Sequence, residues 1–96
     1  MTWPFDQEPN VACIATQSVM DGEPVLVVTH YEDDHSWAFS DGKPFDPAAA
    51  LLVSMSEVVD RHPELIQIAA LPPGWSAHRA AVDVPWSQER DEWADS

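Results

Sequence analysis

Apolar positions come in short runs separated by turn residues, and their spacing changes along the chain. Val11 to Thr16 is a run of strand formers. Asp21-Gly22-Glu23-Pro24 is turn chemistry, because glycine admits positive φ and proline fixes its own. Val25 to Tyr31 then alternates, with Val25, Val27 and Thr29 on one face and Leu26, Val28 and His30 on the other. Both faces are at least partly apolar, which predicts a central strand or one covered by a helix. A polar turn, Glu32 to His35, leads to a third strand at Trp37-Ala38-Phe39, ended by Ser40-Asp41-Gly42-Lys43-Pro44.

The period then changes. Residues 43–50 read as a connection that could hold one helical turn after Pro47. Leu51-Leu52-Val53 fits a fourth strand or the lead-in to a helix. Ser54-Met55-Ser56-Glu57 has the spacing of a capping box, in which a serine hydroxyl and a glutamate three residues on satisfy free N–H groups. A helix from about Met55 to His62 follows, with Met55, Val58 and Val59 on one face. Pro63 suits the first position of a second short helix running to Ala70. Leu71-Pro72-Pro73-Gly74 ends it, and Trp75 to Val84 reads as a closing strand whose far end Pro85 makes an edge.

These elements predict an α+β fold: an antiparallel sheet of four to five short strands, with one or two short helices packed on one face. Its first three strands are expected to form an antiparallel meander, because the turns are short. The organisation expected is an irregular arm over 1–10, one α+β domain over 11–86 and an acidic tail over 87–96.

Charge narrows the functional classes. The chain has 96 residues, with 17 acids against 4 bases and a formal charge of −13. Nucleic-acid affinity comes from counterion release by clustered Lys and Arg, so this balance argues against a nucleic acid and against an anionic membrane surface. It is compatible with a basic protein partner or with simple solvation. Cys13 is the one cysteine, which excludes an internal disulfide, and its apolar setting predicts a small buried hydrophobe. Neither a secretory signal nor an apolar run of about 20 residues is present, so the cytoplasm is the expected location.

Candidate chemistry is sparse. His30-Tyr31-Glu32-Asp33-Asp34-His35 holds two imidazoles and three carboxylates, yet the spacing matches no established zinc motif. A polar turn with one partly packed histidine is the expectation, and no metal or other cofactor is predicted. No nucleophile elbow or phosphate-cradling loop occurs, and three glycines in the chain argue against the latter. No catalytic residue is assigned. Five tryptophans are unusual for this length. Trp37 and Trp75 fall in strands and are expected in the core. Trp3, Trp86 and Trp93 either cap the core or contribute to a binding surface.

Four stretches taken in order carry a resemblance. They are Cys13 to Thr16, Gly22 to Val25, Thr29 to Phe39 and Leu71 to Arg79. Over roughly residues 11–80 the chain resembles, as a divergent relative, a family of small bacterial proteins of unknown function classed among predicted immunity proteins of polymorphic toxin systems. The resemblance implies an α+β fold and neutralisation of a toxin, and it brings no catalytic residues.

The expected function is therefore a non-catalytic module that occludes a partner protein, such as a basic toxin. Candidate partner-binding residues are Glu32, Asp33 and Asp34 in the polar turn, with Glu89, Asp91, Glu92 and Trp93 in the tail. The alternatives are an acidic adaptor or regulator outside toxin systems, as a monomer or a homodimer, and a small metal-dependent enzyme using the histidine turn.

Overall fold

A computed structural model describes Phe5 and residues 8–33, 35–42 and 50–90. The chain order is β1 (Ala12–Thr16), α1 (Gln17–Met20), β2 (Val27–His30), β3 (Trp37–Ser40), β4 (Ala50–Ser54) and α2 (Met55–Arg61). A 3₁₀ helix (Pro63–Ile68), β5 (Trp75–His78) and β6 (Ser87–Arg90) complete it. The strands form one six-stranded sheet in the order β4-β1-β3-β2-β5-β6.

The α+β expectation holds, but the sheet is mixed and has six strands. Antiparallel pairing of β2 with β3 follows from the short turn, with Val27 opposite Ser40 and His30 opposite Trp37. The predicted meander fails at β1, which lies parallel to β3 on the side away from β2. α1 intervenes after β1: the Thr16 hydroxyl accepts from the Val19 N–H, turning the chain into a helix as soon as the strand ends. A chain reversed by a helix is free to cross before re-entering the sheet.

The second helical region forms as its caps predict. Glu57 N–H donates to Ser54 Oγ at 3.3 Å and Ser54 N–H donates to Glu57 Oε2 at 3.3 Å, closing the capping box. Pro63 opens the 3₁₀ helix. The closing strand is shorter than predicted. It stops at His78, turns through residues 80–84 and returns as β6, whose Ser87–Arg90 were expected in the tail.

Strand pairing sets two faces. One carries the rows Val53–Cys13–Trp37–His30–Trp75 and Leu51–Ala15–Phe39–Val28–Ala77. Cys13, Ala15, Val28, Trp37, Phe39 and Ala77 form a core cluster there with Val19 of α1, with Met55, Val58 and Val59 of α2, and with Leu65 and Ile68. Trp37 is fully buried, stacked on the His30 ring at 3.9 Å and met edge-on by Phe5 at 5.1 Å. Trp75, nearer the edge, is only partly buried against the same cluster.

Candidate functional site

The topology gathers predicted binding residues that are far apart in sequence. β2 and β6 run in the same direction, because each is antiparallel to β5 between them. His30, Trp75 and Arg90 lie in one row, so the turn after β2 and the end of β6 share one end of the sheet. Two strand spacings, about 10 Å, separate them. Glu32 and Asp33 are exposed in that turn, and Glu89 is exposed on β6 opposite Ser76. Arg90 is a cation at the same end. Asp34, Asp91, Glu92 and Trp93 lie outside the described residues.

Beside this end is the second face of the sheet, which sequence reasoning did not single out. One row crosses all six strands: Leu52, Ile14, Ala38, Thr29, Ser76 and Glu89. The next runs Ala50, Thr16, Ser40, Val27, His78 and Ser87. The Ser76 hydroxyl donates to Thr29 Oγ1 at 3.4 Å across this face. Its central positions are half-buried, and Leu52 at its margin is 79% exposed. In a chain of charge −13, Glu89 is the only acid in these two rows. A shallow hollow of about 350 Å³ is lined by Val27, Thr29, Tyr31, Ala38, Ser40 and Gly42. The signal available in the sequence was the alternation in 25–30, which puts Val28 and His30, both buried, on the covered face and Val27 and Thr29, both half-buried, on this one.

Two histidines, His30 and His62, and the cysteine are buried. His30 is buried, and its Nδ1–H donates to the Leu71 carbonyl at 2.7 Å, tying the 3₁₀ helix exit to β2. His35 is exposed in the turn, with φ at +58°. His62, also buried, donates from Nε2 to the Val19 carbonyl at 2.8 Å and ties α2 to α1. Among the described residues no three His, Cys, Asp or Glu side chains converge in a metal-binding arrangement. Burial, and secondarily the Glu57 carboxylate, pushes the Cys13 thiol up to about 12, so it stays protonated at neutral pH.

Arg79 falls in the predicted closing strand and ends the stretch Leu71 to Arg79 that carries the resemblance. It is buried, and it donates from Nε to the Val25 carbonyl, from Nη1 to the Val82 carbonyl, each at 3.1 Å, and from Nη2 to Glu64 Oε1 at 3.3 Å. Its guanidinium lies 4.3 Å from the centre of the Trp86 ring. Planar, five-donor arginine suits this fourfold role, which fixes the turn leading into β6. Trp86 thus caps the core edge, packed against it and partly buried. Trp3 lies, with Trp93, outside the described residues.

No described helix is long and apolar enough to cross a membrane. In comparisons with protein-family models, curated proteins and solved structures, the chain has no match.

Proposed function

We propose that this chain is a non-catalytic protein-binding module that neutralises a basic toxin by covering it, in the manner implied by its resemblance to predicted immunity proteins. The observation that carries this reading is the placement of three acids, Glu32, Asp33 and Glu89, with one cation, Arg90, at one end of the sheet, beside a face nearly free of charge. Carboxylates gathered at one end steer a basic partner over a Debye length of about 8 Å at physiological salt. The rest of this face, which carries no charge apart from Glu89, then offers area that is cheap to desolvate. A thiol held protonated at Cys13, and the two buried imidazoles, His30 and His62, engaged with backbone carbonyls, support a binding role over a catalytic one.

The test pairs the chain with a toxin encoded beside it. Co-expression should restore growth, and purified complex should form faster at low salt than at high salt. Glu32→Gln with Asp33→Asn, or Glu89→Gln, should slow association several-fold at low salt and leave dissociation nearly unchanged. A complex whose association rate ignores both clusters at every salt concentration removes the electrostatic basis of the reading. Failure of the chain to protect against or bind any neighbouring toxin removes the reading itself.

A further inference from the structure

The two edges of the sheet differ in chemistry. β6 presents Ser87-Gln88-Glu89-Arg90, which is polar and carries charge. β4 presents Ala50-Leu51-Leu52-Val53-Ser54, with no charge, no proline and Leu52 79% exposed at its centre. Natural sheets commonly guard an edge with charge or proline, and an uncharged apolar edge is a template for another strand.

The outward backbone groups can be identified. Met55 N–H donates to the Val11 carbonyl of the chain leading into β1, whereas Ser54 N–H turns to the Glu57 carboxylate. Bonded and non-bonded positions alternate along an antiparallel pair, so Cys13–Val53 and Ala15–Leu51 face inward. Leu52 and Ala50 therefore point their N–H and C=O groups away from β1. Among the described residues no strand pairs with that edge.

We propose that β4 is a homodimer edge, at which a second copy of this chain adds its own β4 antiparallel about a twofold axis at Leu52. Leu52 exchanges two hydrogen bonds with Leu52 of the other copy. Ala50 N–H reaches the Ser54 carbonyl of the other copy, and the symmetric bond forms in return, so the capping box of α2 is left intact. Every facing pair is uncharged: Leu52 with Leu52, Leu51 with Val53, Ala50 with Ser54. The two exposed Leu52 side chains meet on the open face, each next to Ile14 of its own copy.

Charge placement permits a second copy, despite the net charge of −13, and favours the antiparallel orientation. The acidic end on β2 and β6 lies three and five strand spacings from β4, roughly 14 and 24 Å, so the like charges of two copies stay apart. Antiparallel pairing also separates the two Glu57 residues, because the two Ser54 positions lie about 14 Å apart along the seam; parallel pairing would align them. A five-residue seam is about 17 Å long and makes an interface at the small end of the specific range. Its dimer constant is expected to be on the order of tens of micromolar. This assembly does not depend on the toxin-binding reading, and it leaves the acidic ends of both copies outward.

Sedimentation velocity of the full chain over about 1 to 300 µM is the experiment. A shift from monomer to dimer is expected, moving to lower concentration as salt rises from about 0.05 to 0.5 M and screens like-charge repulsion. Leu52→Lys should remain monomeric throughout with an unchanged circular-dichroism melt, while Gln88→Lys on the opposite edge should dimerise as the parent does. Should Leu52→Lys fail to fold, hydrogen exchange of the parent still decides: the Leu52 and Ala50 amides must gain protection with concentration. A chain monomeric at every concentration, as expected if another protein's strand occupies this edge, overturns the proposal. So does a dimer that Leu52→Lys leaves intact, or one whose Leu52 and Ala50 amides stay unprotected.

Discussion

The two faces of the sheet share the same strands and differ in nearly everything that decides their role. On one, the row through Cys13, Trp37 and His30 is closed over by α2, the 3₁₀ helix and Phe5. On the other, one residue along each strand, the row through Ile14, Ala38 and Thr29 has small or β-branched side chains and stays half-exposed. A period of two thus divides each strand between stability and surface. The difference teaches where function can change without loss of the fold: stability should respond steeply on the covered face and hardly at all on the open one.

The steepest response is expected at Trp37. Its side chain is fully buried between the His30 and Phe5 rings, with Phe39 parallel to it at 6.2 Å. Trp37→Ala removes this contact area and leaves a cavity, costing about 3–5 kcal/mol. For a domain of this size that is a large part of the total stability. Denaturant melts measure it, and a near-native midpoint would break the distinction between the faces. Trp75→Ala, on the same face but only partly buried, should cost less.

Arg79 comes next. Arg79→Met leaves the Val25 and Val82 carbonyls and Glu64 without their donor, at a cost of about 2–3 kcal/mol. Lysine cannot reproduce the planar fork, so Arg79→Lys should recover little of it. Tryptophan emission should shift as Trp86 loses its cation and becomes wetter. A midpoint restored by lysine would show that charge, and not the fork, anchors the turn into β6.

These residues also show which parts of the fold were legible in the sequence. Ser54-x-x-Glu57 and Pro63 fix helix starts through contacts within one turn, so local spacing was enough. The hairpin of β2 and β3 follows from a short polar turn. The parallel neighbour β1 is a long-range choice of side, which turn length cannot report. β6 has no apolar residue to give a period, and its place depends on Arg79 holding Trp86. For the candidate site, the acidic clusters were visible as composition. That Glu32, Asp33 and Glu89 share one end of the sheet required the strand order, since β5 inserts between β2 and β6.

Cys13 tests the covered face by pH. Its thiol is 1% exposed, and burial raises it from about 9 to about 12, so the folded chain holds this proton more tightly than the unfolded one. Between those values the unfolded state binds fewer protons, and stability falls as pH rises. Its contribution is complete below about pH 9 and is lost progressively toward about 12. Cys13→Ala should lower stability at neutral pH through lost packing yet flatten the alkaline decline. Parent and variant curves with the same alkaline slope would remove the dry environment assigned to this row. At pH 8 a thiol reagent should label Cys13 only at the rate of opening.

The smallest stability change is expected at Ala38, the neighbour of both Trp37 and Phe39 in sequence. It sits half-buried on the open face between Ile14 of β1 and Thr29 of β2. A lysine there can lay its methylenes along the face and keep its ammonium in water. Ala38→Lys should therefore move the unfolding free energy by no more than about 0.5 kcal/mol, the usual range for a surface substitution. Its effect on binding should be far larger, because it sets a cation in the centre of the face proposed to meet a basic partner. Denaturant melts and complex formation, measured on the same preparation, separate the two properties. A variant that unfolds readily would show this face to be packed, whereas one that folds and still binds normally would move the partner to another surface.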